Sequence, residues 1–169
     1  MSDPQTIGEE VSRLLELLNA QGLRPYQLES EVQAFSEESK NALVAQLARS
    51  VNPPSPGKVL ARLPSILTDE NRSDMANVFI TNLRSPNPEA RKFSLFGLSA
   101  LEHPNVVEFA LASLRDDNDQ VLTAACGILL LKSGQDPRIR AILQDLYSAN
   151  ADNENLYMSM SLLKTHLES

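Results

Sequence analysis

The sequence predicts an all-α fold, organised as a short α-solenoid, from three observations. Leu83-Arg84 and Leu114-Arg115 lie 31 positions apart, each between an apolar helical stretch and a polar corner that leads into a second apolar stretch. Apolar residues recur at helical spacing along almost the whole chain, and runs of Val, Ile, Thr and Tyr typical of strands are missing. A helix pair of this size cannot bury its own apolar stripe, so it must stack on copies of itself.

The first 35 residues are predicted to form a helical cap on the array. Thr6 and Glu9 have the spacing of a capping box, an amphipathic helix follows over 6–20, and Gly22 supplies a stop. Residues 26–34 are predicted to be a short helix or turn. Open solenoid ends need covering, which favours a cap, and docking of the first helix on a partner is the alternative.

The next segment, 36–67, is predicted to be a first helix pair. Its first helix runs from Ser36 to about Val51 and stops at a proline-rich corner over 52–56. Its second helix starts at Pro56. Since Pro64 lies inside the apolar pattern that ends near Leu67, we expect this helix to kink or to end early.

Three more pairs follow, over 73–101, 104–132 and 137–167. Their first helices are predicted at 73–84, 104–115 and 137–148, and their second helices at 87–101, 119–132 and 153–167. Three of these helices are predicted to begin at a proline, because the first N–H of a helix has no partner within the helix and its absence costs nothing. The residue pairs are Asn87-Pro88, His103-Pro104 and Asp136-Pro137. The preceding residue is then the predicted N-cap.

The corners of these pairs carry a family resemblance. The strings over 83–91 (LRSPNPEAR) and 114–122 (LRDDNDQVL) resemble the HEAT repeat, in which a leucine ends the first helix and an Asp-Pro-like corner leads into the second. The resemblance implies a right-handed solenoid. It also implies that Arg91 bonds to an aspartate of a neighbouring corner, whereas Leu122 and Tyr157 stand at the corresponding positions. HEAT arrays are generally protein-binding scaffolds, and some relatives act on bilin chromophores or on alkylated DNA.

Charge and hydropathy narrow the classes of partner. The net charge of −7 comes from 15 basic and 22 acidic residues, with no basic cluster that would hold phosphates, so nucleic acid and anionic membrane are not expected partners. The longest apolar run, 124–131, is much shorter than the roughly 20 residues of a membrane span. Without an evident export signal we expect a cytoplasmic protein, in which the single Cys126 is a packed, reduced thiol.

The residue types that catalysis requires are sparse. His103 and His166 are 63 positions apart, and the sequence has no HExxH, CxxC or glycine-rich phosphate loop. The acidic corner 116–119 lacks the glycine and the glutamate of a calcium loop, so it is expected to be a solvated corner that caps a helix. We therefore expect no enzymatic activity, no cofactor and no metal.

A surface on the second helices is the remaining candidate for function. We expect the concave side to bind a partner helix or peptide through six residues: Arg62, Lys92, Phe96, Thr123, Leu130 and Met158. The alternative is that Phe96 and Leu130 are simply buried against neighbouring helices. The leading hypothesis is a non-catalytic protein-interaction module, an adaptor or regulatory subunit, with self-association left open. A bilin-lyase-like or phycobilisome-associated protein and a DNA-repair relative are the alternatives.

Overall fold

The computed structural model describes residues 4–50, 56–134 and 136–167, which form ten α-helices and no strand. The all-helical prediction is confirmed for these residues. Short 3-10 segments follow α4, at Leu63–Ile66, and precede α10, at Glu154–Leu156. The ten helices are α1 (Pro4–Asn19), α2 (Pro25–Val32), α3 (Glu37–Arg49), α4 (Pro56–Arg62), α5 (Arg72–Asn82), α6 (Pro88–Ala100), α7 (Val106–Ser113), α8 (Asp119–Lys132), α9 (Pro137–Asn150) and α10 (Tyr157–Leu167).

The helices pack in a repeating order. The second helices α4, α6, α8 and α10 form a row in which each packs on the next, and α5, α7 and α9 pack on α6, α8 and α10 respectively. The predicted pair over 36–67 is joined differently: α3 packs on α1 and α5, whereas α4 packs on α1 and α6. Helix α1 thus packs on both members of this pair.

Packing of α1 combines apolar burial with hydrogen bonds between a carboxylate and two hydroxyls. Leu14 and Leu18 are fully buried. The Glu10 carboxylate accepts hydrogen bonds from the hydroxyls of Ser39, at 2.6 Å, and Ser36, at 2.7 Å, at the start of α3. These bonds lower the pKa of Glu10 below its usual value, because they favour the charged carboxylate.

Several predicted helix boundaries are confirmed. Asn87 and Asp136 cap α6 and α9, each accepting a hydrogen bond from the backbone N–H two residues on. Helix α4 ends at Arg62, and the chain tightens into a 3-10 turn that contains Pro64. Gly22 has a φ of +73°, the left-handed conformation that glycine adopts readily after a helix.

Three predicted helix starts are wrong. Helix α10 begins at Tyr157 rather than at 153, because a 3-10 turn at Glu154–Leu156 comes first. Thr6 lies inside α1, which begins at Pro4, so it is not the N-cap. Helix α7 begins at Val106 rather than at Pro104, because the chain first closes the end of α6. Glu102 adopts a φ of +51°, and the N–H of His103 donates to the Leu98 carbonyl at 3.0 Å, which completes a C-terminal capping turn.

The buried apolar residues form one cluster that extends from Leu14 in α1 to Leu163 in α10. Helices α5 and α6 approach each other closely within it, since a methyl group at Gly97 would overlap the fully buried ring of Phe79. Among the residues described, the helices are too short or too polar to cross a membrane.

Candidate partner-binding face

Arg91, near the start of α6, ties that helix to the corner that precedes α8. Its Nε and Nη2 donate to the two carboxylate oxygens of Asp116 at 2.7 and 2.8 Å, and its Nη1 donates to the Ser85 carbonyl at 2.9 Å. Both charged side chains are largely buried, with exposures of 17% and 12%. A two-point contact of this kind is the strongest form of ion pair because both N–H groups are aligned with the carboxylate.

The electrostatics of Asp116 follow from this geometry. Burial would raise its pKa, but hydrogen bonds from Arg91 and from the backbone N–H of Asn118 outweigh burial and leave the pKa below its usual value. Asp116 is therefore a charged residue at neutral pH, with its charge matched by Arg91. The neighbouring Asp117 is 99% exposed and lies 3.7 Å from Arg91.

The other two residues of the acidic corner cap helices, as the sequence predicts for the corner as a whole. Asn118 caps α8 by accepting hydrogen bonds from the backbone N–H groups of Gln120 and Val121. Asp119 lies in the first turn of α8 but serves α10: its carboxylate accepts from the N–H groups of Met158, at 2.7 Å, and Ser159, at 3.0 Å, and from the Ser159 hydroxyl. A carboxylate at a helix N-terminus satisfies free N–H groups and favourably opposes the helix dipole.

These contacts align the first turns of α6, α8 and α10 into one surface. Lys92 donates to the Gln120 side chain at 2.8 Å, which links α6 to α8. The hydroxyls of Thr123 and Ser159 lie 3.1 Å apart, which links α8 to α10. Lys92, Thr123 and Met158, all predicted site residues, therefore belong to one continuous row, which we call the second-helix face.

Apolar side chains on this face are open to solvent. Phe96 lies one turn beyond Lys92 and is 46% exposed, and Met158 is 47% exposed. The ring of Phe96 contacts that of Phe93, with centroids 6.4 Å apart, so its position is supported from within α6. The alternative that Phe96 is simply buried is wrong.

Gly127 lies between these side chains along the row, one turn beyond Thr123 on α8. No atom lies within 4 Å of the point where a Cβ would be, so nothing in the packing requires glycine there. Glycine within a helix costs about 1 kcal/mol relative to alanine. The second-helix face therefore has no side chain at the position that corresponds to Phe96 in the 31-residue repeat, and we call this open position the depression at Gly127.

Arg62 has a different position from the one expected. Its guanidinium lies at the end of α1, where it donates to the carbonyls of Leu18, at 3.0 Å, and Ala20, at 2.7 Å. Carbonyls at a helix C-terminus lack partners within the helix, and a cation there interacts favourably with the helix dipole. Arg62 therefore links α4 to the end of α1.

The leucine most open to solvent on α8 is Leu131 rather than Leu130. Leu130 is half-buried and packs against the core, whereas Leu131 is 80% exposed. The 31-residue repeat predicts Leu130 as a site residue because it aligns Leu130 with Ser99 of α6. The signal that finds Leu131 is the helical spacing within α8, since residues 123, 127 and 131 are each one turn apart.

The described residues contain no group of three His, Cys, Asp or Glu side chains that could hold a metal ion. Cys126 is fully buried, and burial together with the charge of Asp119 raises the pKa of its thiol to about 12. Such a thiol stays protonated at neutral pH and is a poor nucleophile. His103 contacts the ring of Phe109, with centroids 5.6 Å apart, and His166 lies 2.9 Å from the Leu162 carbonyl.

Comparison of the chain with protein families, curated proteins and solved structures finds no match. The contact between Arg91 and Asp116 is the one that the HEAT resemblance implies for this arginine. The corresponding positions carry no cation: Leu122 is buried, and Tyr157 is 72% exposed. The bond between Arg91 and Asp116 is therefore not repeated at these two positions.

Proposed function

We propose that this protein is a non-catalytic interaction module, a HEAT-like adaptor or regulatory subunit, that binds a helix or an extended peptide of a partner protein on its second-helix face. The observation that carries the proposal is the pairing of half-exposed Phe96 and Met158 with the open space at Gly127. Exposed apolar side chains beside a depression are the arrangement that receives an apolar anchor residue of a partner.

The contacts beneath the face support this function because they hold the exposed side chains in place before a partner arrives. Asp119 fixes the start of α10, and Lys92 is held by Gln120. A rigid surface loses less conformational entropy on binding than a mobile one. A helix that lays one apolar stripe along α8 would contact Phe96 on one side and Met158 on the other.

Affinity capture from lysate of the native host, followed by quantitative mass spectrometry, tests the proposal. The wild-type protein is compared with Phe96→Glu and with Gly127→Phe. The second variant places a side chain in the depression and removes a glycine from the interior of the helix. The matched control is Tyr26→Glu, since Tyr26 is 63% exposed but lies on α2, away from the second-helix face. We expect a partner that the wild type and Tyr26→Glu retain and that both face variants lose.

Two results would contradict the proposed function. Equal retention by Phe96→Glu and by the wild type would place the binding surface elsewhere, and capture of no protein under several growth conditions would count against an interaction module. Circular dichroism of each variant shows whether a loss of capture is instead a loss of fold.

A further inference from the structure

A second cleft lies between the first helices α5 and α7, on residues that do not belong to the second-helix face. Its volume is about 470 Å³, within the roughly 300–1,000 Å³ usual for ligand sites. Four apolar residues, Ile80, Leu83, Phe109 and Ala112, supply much of its lining, together with Arg84, Ser113, Arg115 and Asp116.

Two arginines border this cleft at equivalent positions. Arg84 follows the end of α5, and Arg115 follows the end of α7, exactly one 31-residue period later in the sequence. Both are exposed, and neither forms an ion pair within the described part of the chain. A single cation after a helix end is common because it interacts favourably with the helix dipole. Two cations that border one cleft also create a positive electrostatic potential in it.

The carboxylates nearest in sequence do not neutralise this site. Asp116 lines the cleft, but both of its carboxylate oxygens accept hydrogen bonds from Arg91. Asp117 also has Arg91 as its nearest cation, at 3.7 Å. Arg84, Arg91 and Arg115 together outnumber Asp116 and Asp117, so this region keeps a net positive charge in a protein whose net charge is −7.

The lining between the arginines is apolar and partly shielded from water. Phe109 is half-buried and packs against the core, and its ring contacts that of His103 in a tilted arrangement with centroids 5.6 Å apart. Ile80 and Leu83 are also half-buried against the core. A small inorganic anion would leave this surface unfilled, so the cleft fits a ligand that carries both a carboxylate and an apolar group.

We propose that this cleft binds an acidic peptide segment in which an apolar side chain lies between two carboxylate side chains. The guanidiniums of Arg84 and Arg115 each take one carboxylate, for which their planar N–H groups are matched, and the apolar side chain packs on Phe109. A nucleic acid is disfavoured, because a long polyanion would meet two cations on a surface that is otherwise net negative. The site is independent of the second-helix face.

Titration of the ¹⁵N-labelled full chain with a defined peptide, followed by NMR, tests the assignment. The probe is a capped hexapeptide with phenylalanine between two glutamates, and its counterpart has glutamine at both acidic positions. We expect the glutamate peptide to shift the amide signals of Arg84, Ala112 and Arg115 and to bind at least tenfold more tightly than the glutamine peptide. Binding should weaken as salt is raised, because exposed charges are screened.

Two variants assign the effect to the arginines. Arg84→Gln combined with Arg115→Gln should weaken binding of the glutamate peptide at least tenfold. The control is Arg138→Gln, which removes a charge from an arginine that is 86% exposed on α9 and pairs with Asp136, and it should leave binding unchanged. A thermal melt of each variant separates loss of the site from loss of fold.

Four outcomes would overturn the proposal. These are equal binding of the two peptides, unchanged binding by the double variant, no signal shift at millimolar peptide, and tighter binding of a single-stranded oligonucleotide at the same residues. None of them bears on the second-helix face, because Phe96 and Met158 lie on other helices and are unchanged in these variants.

Discussion

Helices α6 and α8 begin in the same way but are linked to the next second helix by different residues. Each starts at an asparagine cap, Asn87 and Asn118, exactly 31 positions apart. Four residues after the cap, α6 has Arg91, which bonds to the next corner, whereas α8 has the buried Leu122. Helix α8 is linked to the next second helix, α10, through Asp119 instead. The repeat therefore preserves the link between successive second helices while changing the residue and the polarity of the contact.

This difference predicts that the leucine of α8 destabilises the protein when it replaces the arginine at the equivalent position of α6. Arg91→Leu should lower the free energy of unfolding by about 2–3 kcal/mol, because it leaves the largely buried Asp116 without its ion-pair partner. Urea denaturation followed by circular dichroism measures the change. Asp117→Ala is the control, and a change below about 0.5 kcal/mol is expected there because Asp117 is fully exposed.

The same pair predicts a dependence on pH. Since the pKa of Asp116 is lowered in the folded state, its stabilising effect is present above the unfolded carboxyl value of about 3.8 and is lost as the pH falls through the folded value. The wild type should therefore lose more stability than Arg91→Leu as the pH falls from 5 to 2. Parallel curves for the two proteins would show that Arg91 does not hold Asp116 charged.

The glycines of the two helices should respond to alanine in opposite ways. Gly97→Ala should lower the free energy of unfolding by about 1–3 kcal/mol, because the added methyl group forces Phe79 to move in a packed core. Gly127→Ala should raise it by about 0.5–1 kcal/mol, because the space is open and alanine favours the helix. Chemical denaturation of both variants gives the two signs. Destabilisation by Gly127→Ala would mean that the depression is filled in the folded protein.

The link from α8 to α10 should be weaker than that from α6 to α8. Asp119→Ala should cost about 1–2 kcal/mol, the usual range for a helix cap, since it frees the N–H groups of Met158 and Ser159. Hydrogen exchange should then quicken in α10 before it quickens in α6. Asp119→Asn is the matched control, because the amide oxygen can still accept one of these bonds. Uniform quickening in all helices would show that α10 does not open separately.

Local and long-range features differ in how well the sequence predicts them. The caps at Asn87 and Asp136 and the short α4 before Pro64 are predictable because each depends on residues within one turn. The start of α7 is not, because Glu102 adopts a left-handed conformation in a capping turn that follows α6 and reaches His103.

The candidate site shows the same division. Alignment of the second helices by the 31-residue repeat, extended to the last pair, is enough to predict that Lys92, Phe96 and Met158 share one face. The position of Arg62 depends on carbonyls more than 40 residues earlier in the chain, and that of Asp119 on N–H groups about 40 residues later. No periodic pattern encodes those contacts, so the sequence alone places Arg62 on the wrong surface and leaves the contact of Asp119 with α10 unpredicted.

The smallest expected effect concerns Ser94 and its counterpart in α8, Ala125, which are both fully buried. The Ser94 hydroxyl has no hydrogen-bond partner in the described part of the chain, and an unpaired buried hydroxyl is costly. Ser94→Ala, which copies α8, should raise the free energy of unfolding by up to about 1 kcal/mol. Ser39→Ala is the matched control, since this equally buried hydroxyl donates to Glu10 at 2.6 Å and its loss should destabilise. If Ser94→Ala destabilised as Ser39→Ala does, the hydroxyl would have a partner, and α6 would carry a buried polar contact at the position where α8 has Ala125.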